Sequence, residues 1–335
     1  IAIRGAEHTA DRIRAEPEAT TETSMENKKI IILFYNPMWG QPLKYPEEEI
    51  PENFLITEDR SLYDRASAVV FHVPSLGFDF IVGRGPVKKK GQIWVAWSME
   101  TAAHHAILST ELVMRRFDLL MTHSRGSDVW CPYILRTYRE ELRNEPIEKT
   151  DGCLVNAFIS SRCDTNGRTE YLREMMKHID VHSYGKLFRN AAQPDGAGRQ
   201  FKLDTMARYK FTVAFENASE ADYVTEKFYD PLIVGSVPIY LGAPNIEEFS
   251  PGEKCFINAP DFDGPGSLSR FLLDLSRDPA RYAEYFEWKK KPFHPGFEKM
   301  LQVQNEHPIA RLCRKVSETI HGRAAANPST NSIRL

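Results

Sequence analysis

The chain has 335 residues, of which 42% are hydrophobic, with 43 Lys+Arg against 46 Asp+Glu for a formal net charge of −3. At roughly 100–200 residues per domain this length suits about two domains with their own cores, which excludes a disordered chain or a disulfide-stapled miniprotein. A near-neutral balance offers no broad positive field, so no nucleic acid is expected, and no integral membrane segment is expected because the longest apolar run, Ile30–Phe34, is far short of about 20 residues.

In chain order, residues 1–24 are polar and without strand periodicity. They read as an added leader before Met25, which opens the start-like MENKKIIILFYN. Ala324–Leu335 reads as a tail of the same kind. Between them, strands are expected at Ile30–Tyr35, Ala68–Val73, Ile93–Trp97, Asp118–Thr122, Leu154–Ser160, Tyr209–Phe215, Val237–Leu241 and Phe256–Ala259. Most are continuous apolar runs, the pattern of parallel strands covered on both faces. The polar, turn-rich stretch Asn144–Gly152 separates two sets of strands, which sets a first domain at 25–148 and a second at 149–300. Helices are expected at Arg168–His178, Ser267–Leu275, Pro279–Trp288 and Gln302–Ile320, the last forming a terminal helix over 301–323. The fold class is α/β, with two Rossmann-like domains, C-terminal helices and a ligand in the cleft between the domains.

Cys131, Cys153, Cys163, Cys255 and Cys313 contain no C-x-x-C pair. Free buried thiols are the expectation, with one long-range bridge left open.

The chemistry concentrates in Tyr209–Asn245, YKFTVAFENASEADYVTEKFYDPLIVGSVPIYLGAPN. A buried strand ends at Glu216 and Asn217, the carboxyl edge where open α/β sheets bind ligands. Thr225 suits a helix N-cap, which puts Lys227 in the first turn, where the helix dipole disfavours a cation unless an anion shares that end. An exposed Lys227 offset by Glu226 is the competing reading, and Pro231 leaves open a kink or a later helix start. The second glycine of GSVPIYLG, Gly242, suits close approach of backbone to a ligand.

These residues carry a resemblance. FEN, DYVTEKF and GSVPIYLGAPN resemble, in order, the signature of the α1,3/α1,4-fucosyltransferases, glycosyltransferase family 10. The resemblance extends to FISSRCDTNGRTEYL (158–172) and HSYG (182–185), and more loosely to WVAWSMETAAHHA (94–106) and SRGSDVWCPY (124–133). It implies a GT-B fold of two facing Rossmann-like domains, the second binding GDP-fucose. It also implies inverting transfer of fucose with no required cofactor or metal, a divalent cation being at most stimulatory. By matching position, Arg168 and Lys227 would contact the donor phosphates and Glu226 the donor near its sugar. Asn217, Tyr223 and Tyr184 would line the donor pocket, and Glu100 would be the general base. Where the family usually has Ser-Pro or Pro-Pro after that glutamate, this chain has Thr101-Ala102.

The expected reaction is therefore α1,3-fucosyl transfer from GDP-fucose to a glycan or glycoconjugate acceptor containing GlcNAc, of LacNAc/Lewis type or an N-glycan core, which GAPNIEEF resembles in part. Another nucleotide sugar on the same fold, or a catalytically silent glycan- or nucleotide-binding protein, stand as alternatives. Asp261-Phe262-Asp263 is a D-x-D before Gly264-Pro265-Gly266 and reads as a helix-entry turn rather than a metal motif. His104-His105 read as loop or cleft residues near the acceptor, and Lys88–Lys90 and Lys289–Lys291 as solvated faces, the latter with a second reading as a border of the donor site. The sequon Asn217-Ala218-Ser219 falls inside the expected donor pocket. With Met25 as a start, this favours a bacterial cytoplasmic enzyme over a Golgi-lumen one. Oligomeric state is left open.

Overall fold

The apolar runs form parallel strands in two sheets. The computed structural model describes residues 29–194 and 196–326; the stretch read as a leader lies outside them. The first sheet holds β1 (Ile30–Asn36), β2 (Phe54–Thr57), β3 (Ala68–His72), β4 (Ile93–Ser98), β5 (Leu119–Thr122) and β6 (Val129–Trp130), in the order β2-β1-β3-β4-β5-β6. The second holds β7 (Val155–Ala157), β8 (Val181–Ser183), β9 (Phe211–Phe215), β10 (Val237–Leu241) and β11 (Ile257–Asn258), in the order β11-β10-β9-β7-β8. Strand order reverses at β1/β3 and at β7/β9, and each reversal opens a crevice at the carboxyl ends of the strands.

The longer helices are α1 (Arg168–Met175), α2 (Arg199–Ala207), α3 (Glu226–Ile233), α4 (Pro265–Ser276), α5 (Pro295–Val303) and α6 (Pro308–Ala326). The single helix expected over Gln302–Ile320 is thus two helices. Pro308 cannot supply the N–H that would continue α5, and its fixed φ suits a first helical turn. Helix α6 runs through Ala326, beyond the expected end at Arg323; the remainder of the stretch read as a tail lies outside the described residues. Pro279–Trp288 is α-helical only to Ala283 and continues as a 3-10 helix over Glu284–Lys290. Strand β7 stops at Ala157, short of the expected Ser160. Beyond it Ile159 O accepts the Leu187 N–H, and a Cβ on Gly185 would lie 2.1 Å from that oxygen, so only glycine fits after Tyr184.

Helix α6 returns to the first sheet, where Leu312, Cys313 and Val316 pack with Ile32, Phe34, Val95 and Met121. In the second unit Leu172 and Met175 of α1 and Leu268 and Leu272 of α4 pack with Val155 and Val213. A further cluster joins the halves, bringing Tyr138 and Leu142 against Phe228, Tyr229 and Trp288. Lys289 belongs here and corrects the reading of that residue as part of a solvated face, whereas Lys290 and Lys291 are exposed as expected. It is 6% exposed, and its ammonium donates to Leu142 O at 2.8 Å and Leu232 O at 2.9 Å, tying the two halves. All five cysteines are free; Cys131, Cys255 and Cys313 are buried, whereas Cys163 is exposed and Cys153 partly so. Asp261 accepts from the Asn258 amide at 2.8 Å just ahead of Gly264, whose φ of +127° turns the chain into α4. Among the described residues no helix is long and apolar enough to cross a membrane.

Leu312→Ala should lower unfolding stability by about 2–5 kcal/mol in urea denaturation; a loss below about 1 kcal/mol would show that α6 does not close the first core. His72 and His123, buried at the carboxyl edge of the first sheet, are both lowered by burial from 6.5 to about 4. Between those values the unfolded chain binds more protons than the folded one, so stability falls as pH drops through this window. His72→Gln and His123→Gln should each flatten that slope in denaturation midpoints measured from pH 7 to 4.5, and unchanged slopes would assign the acid loss to other groups.

Candidate active site

The second sheet presents its polar edge through Glu216, whose N–H still donates to Leu241 O at 2.7 Å as the ladder with β10 ends. The Glu216 side chain is 0% exposed. One carboxylate oxygen accepts the Thr225 N–H at 2.7 Å and the other accepts the Thr225 hydroxyl at 2.9 Å. Thr225 in turn caps α3, its Oγ1 accepting the Lys227 N–H. Pro231 lies inside α3, which starts at Glu226 as the cap required, so the later start is set aside. The Lys227 ammonium lies 3.0 Å from Thr225 Oγ1 and 3.3 Å from each of Glu216 Oε2 and Glu226 Oε1.

Burial works against this ammonium, but Glu216 and Glu226 outweigh it and hold its pKa above the usual lysine value. Burial alone would raise the Glu226 carboxyl; Lys227 and Lys202 overcome that and hold it below the usual range. For Glu216 burial prevails over Lys227 and the pKa is raised. Gly242 makes its close approach to protein, not to an open ligand space. A Cβ there would meet Tyr240 Oη at 2.4 Å and Glu216 Cγ at 2.7 Å.

Arg168 opens α1 and is 1% exposed. Its guanidinium donates to Phe215 O at 3.1 Å, Ser161 O at 3.0 Å and Cys163 O at 2.9 Å, while Nε has no partner. It therefore straps the loop after β7 to the end of β9 and keeps its Nε–H and one Nη1–H outside these three bonds. Tyr184 is buried, stacked on Phe158 with centroids 4.9 Å apart, and its hydroxyl is bonded to Tyr209 Oη at 2.7 Å. Asn217 keeps a buried Oδ1 without a partner, and its carbonyl accepts the Thr165 N–H at 3.0 Å.

Across the cleft, Glu100 follows β4. Its N–H donates to Ser98 Oγ at 3.0 Å, and Thr101 O accepts the N–H groups of His104 and His105 at 3.2 and 3.1 Å. These bonds turn the loop without the proline that the family carries there. His104 Nε2 then lies 3.0 Å from Asn217 O, so it donates to the opposite unit and is a cleft residue as expected. Tyr133 donates to Met99 O, and its ring meets Tyr223 edge-on at 5.9 Å. Both phenols are held above the usual tyrosine range, first by burial, and then by a surround that includes Glu100, Glu216 and Glu226. Those two hydroxyls thus mark the space on which carboxylates from both sheets converge.

The structure pairs Glu226 with Lys227, sets the loop of Glu100 against Tyr223 and Asn217 through Tyr133 and His104, and buries Arg168 and Tyr184. Sequence reasoning assigned no role to Tyr133 or to the Glu216 side chain. Glu216 had a signal, a charged residue ending a fully apolar strand, whereas Tyr133 had none beyond its block.

The sequence profile described as "Glycosyltransferase family 10 (fucosyltransferase) C-term" matches residues 149–330, and "Fucosyltransferase, N-terminal" matches 26–134. A fucosyltransferase-like protein of Arabidopsis thaliana is 32% identical over 72% of this chain, which spans only 46% of that protein. The 4-galactosyl-N-acetylglucosaminide 3-alpha-L-fucosyltransferase FUT6 of Homo sapiens is 31% identical over 81% of this chain and 76% of its own length. A solved α1,3-fucosyltransferase with GDP-fucose superposes with a TM-score of 0.52 at 14% identity, covering 83% of this chain and 89% of that one, a likeness of fold. With profile matches across both halves and a relative of this identity and coverage, the chain belongs to glycosyltransferase family 10, the fucosyltransferases.

Proposed function

We propose that this chain transfers L-fucose from GDP-fucose to a hydroxyl of a GlcNAc-containing glycan, forming an α1,3 linkage with inversion. The observation that carries the reading is the Lys227 ammonium held between Glu216 and Glu226 at the start of α3, with the loop of Glu100 brought to the same cleft by the Tyr133–Met99 bond and the Tyr133–Tyr223 contact. Family membership, the acceptor named for the human relative and the GDP-fucose in the structural neighbour support the donor and acceptor classes.

In this reading Glu100 takes the proton of the acceptor hydroxyl as its oxygen attacks the anomeric carbon, and the bond from that carbon to the phosphate oxygen breaks on the opposite face. Negative charge grows on the departing diphosphate, where Lys227 and the N–H groups of the α3 start are worth most. Positive charge grows on the sugar ring, which Glu226, ionised well below neutral pH, stabilises. Arg168 acts through the loop it straps, and Asn217, Tyr223 and Tyr184 shape the donor side. Lys227 would supply charge at the leaving group, and by the family resemblance we take no cofactor to be required and a divalent cation to be at most stimulatory. A cavity of about 950 Å³ adjoins Glu100 through Trp97 and Met99, with Met38, Gln41 and Leu135 on its walls, and gives room for an oligosaccharide acceptor.

Incubation with GDP-fucose or GDP-mannose and a panel of LacNAc, Lewis precursors and N-glycan core, read by GDP release and product mass, tests the reading; turnover of GDP-mannose alone would overturn the donor. Glu100→Gln should cut kcat at least ~10²-fold with GDP affinity retained, and near-normal turnover would remove Glu100 from the chemistry. Lys227→Ala should weaken GDP binding in calorimetry by about tenfold or more, and an unchanged Kd would end its phosphate role.

A further inference from the structure

The cleft is crossed by a charged contact to which the reaction so far gives no part. Asp222, immediately before Tyr223, has a φ of +68°, a left-handed conformation that Asp and Asn tolerate better than other side chains. It is held there within its own unit: its N–H donates to Asn245 Oδ1, and the Asn245 amide donates to Asp222 Oδ1, each at 3.0 Å. Its carboxylate then reaches the other unit. Arg125, in the loop after β5, donates its backbone N–H to Oδ2 and its Nε–H to Oδ1, both at 2.9 Å, and Ser124 Oγ lies 3.4 Å from Oδ2. The remaining fork of Arg125 pairs with Glu248, beside Asn245 in sequence, at 2.5 Å.

This clasp sits one residue from the aromatic contact that touches the base loop. Tyr223 packs edge-on against His123 at 5.1 Å and against Tyr133 at 5.9 Å, both from the first unit. Tyr133 donates to the carbonyl of Met99, the residue before Glu100. On the far side of Glu100, His104 bonds Asn217 O of the second unit. Glu100 is therefore registered against the donor half from both flanks, and the Asp222–Arg125 pair holds the flank that runs through Tyr223.

We infer that Asp222 and Arg125 are positioning residues for the transfer: their ion pair fixes Tyr223 and, through Tyr133 and Met99, the height of the Glu100 carboxylate over the donor sugar. The inference rests on the reading of Glu100 as base. A pair that acts by alignment changes the chemical step, because a displacement near 1 Å at a reacting group can cost about 10²-fold in rate. GDP affinity depends on it less than the chemical step does, because the bonds that hold Lys227 for the diphosphate run through Glu216 and Thr225 and not through the pair, whereas Tyr223 faces the sugar side.

The test is a kinetic cycle on the full chain with Asp222→Asn, Glu100→Gln and the double variant. Asn keeps the left-handed backbone and can still bond Asn245, so the variant removes the charge with little demand on folding. Asp222→Asn is expected to lower kcat about tenfold or more with GDP Kd within twofold of wild type, and to have less than a twofold effect when Glu100 is already Gln. Arg125→Gln should reproduce the loss from the other side and add nothing to Asp222→Asn. Wild-type kcat in Asp222→Asn, or losses that multiply with Glu100→Gln, would overturn the inference and leave the pair a structural contact. A wild-type chain that turns over no nucleotide sugar would instead overturn the function itself.

Discussion

One buried carboxylate organises the donor half of the cleft. Removing an ion such as Glu216 from water costs several kcal/mol unless its oxygens are occupied, and here the Thr225 N–H, the Thr225 hydroxyl and the Lys227 ammonium occupy them. These bonds join the last residue of the β9 edge to the first turn of α3. The start of that helix is thereby fixed to the sheet, and the one cation on it is aimed at the crevice beside the β7/β9 switch point. The tight Gly242 contact follows, because the next strand end must pass close to Glu216 to complete its enclosure.

The same arrangement answers why a lysine can sit at a helix N-terminus. The dipole there opposes a cation by about 0.3–1 kcal/mol at exposed sites, and two carboxylates at 3.3 Å reverse that balance. Lys227 therefore needs no bound anion to be tolerated, so the helix dipole alone was not proof of a phosphate site. The stronger indication is that its partner Glu226 lies at the half-exposed mouth while Glu216 is wholly buried. One of the two carboxylates can turn toward a ligand, and the other cannot move.

Much of this was legible in the sequence because parallel strands covered on both faces must be continuously apolar. VVF, WVAW and FTVAF showed themselves for that reason, and so did the two-unit architecture. The strands β2, β6 and β8 are two to four residues long and too short to carry a pattern. The break at Pro308 was written in the sequence but was overridden by the apolar periodicity on either side of it. The site divides similarly. Glu226 and Lys227 are placed by a local signal, the Thr225 cap, whereas the burial of Arg168 and the cross-cleft bond of His104 depend on segments 47 and 113 residues distant. Lys289 shows the limit most clearly, since a triple-lysine run gives no sign that one member is enclosed between two carbonyls of different units.

The Lys227 ammonium is shared between Glu216 and Glu226. A diphosphate, with more charge and more acceptor oxygens, competes for that ammonium, and Glu216 cannot leave because the Thr225 N–H and hydroxyl hold it. Glu226 is the partner that can be displaced. Once released, its carboxylate is free to face the sugar bound to the diphosphate that displaced it, with Lys202 still favouring its charged form. Donor binding would thus set leaving-group cation and ring-facing anion in one exchange, with Glu100 contributed from across the cleft.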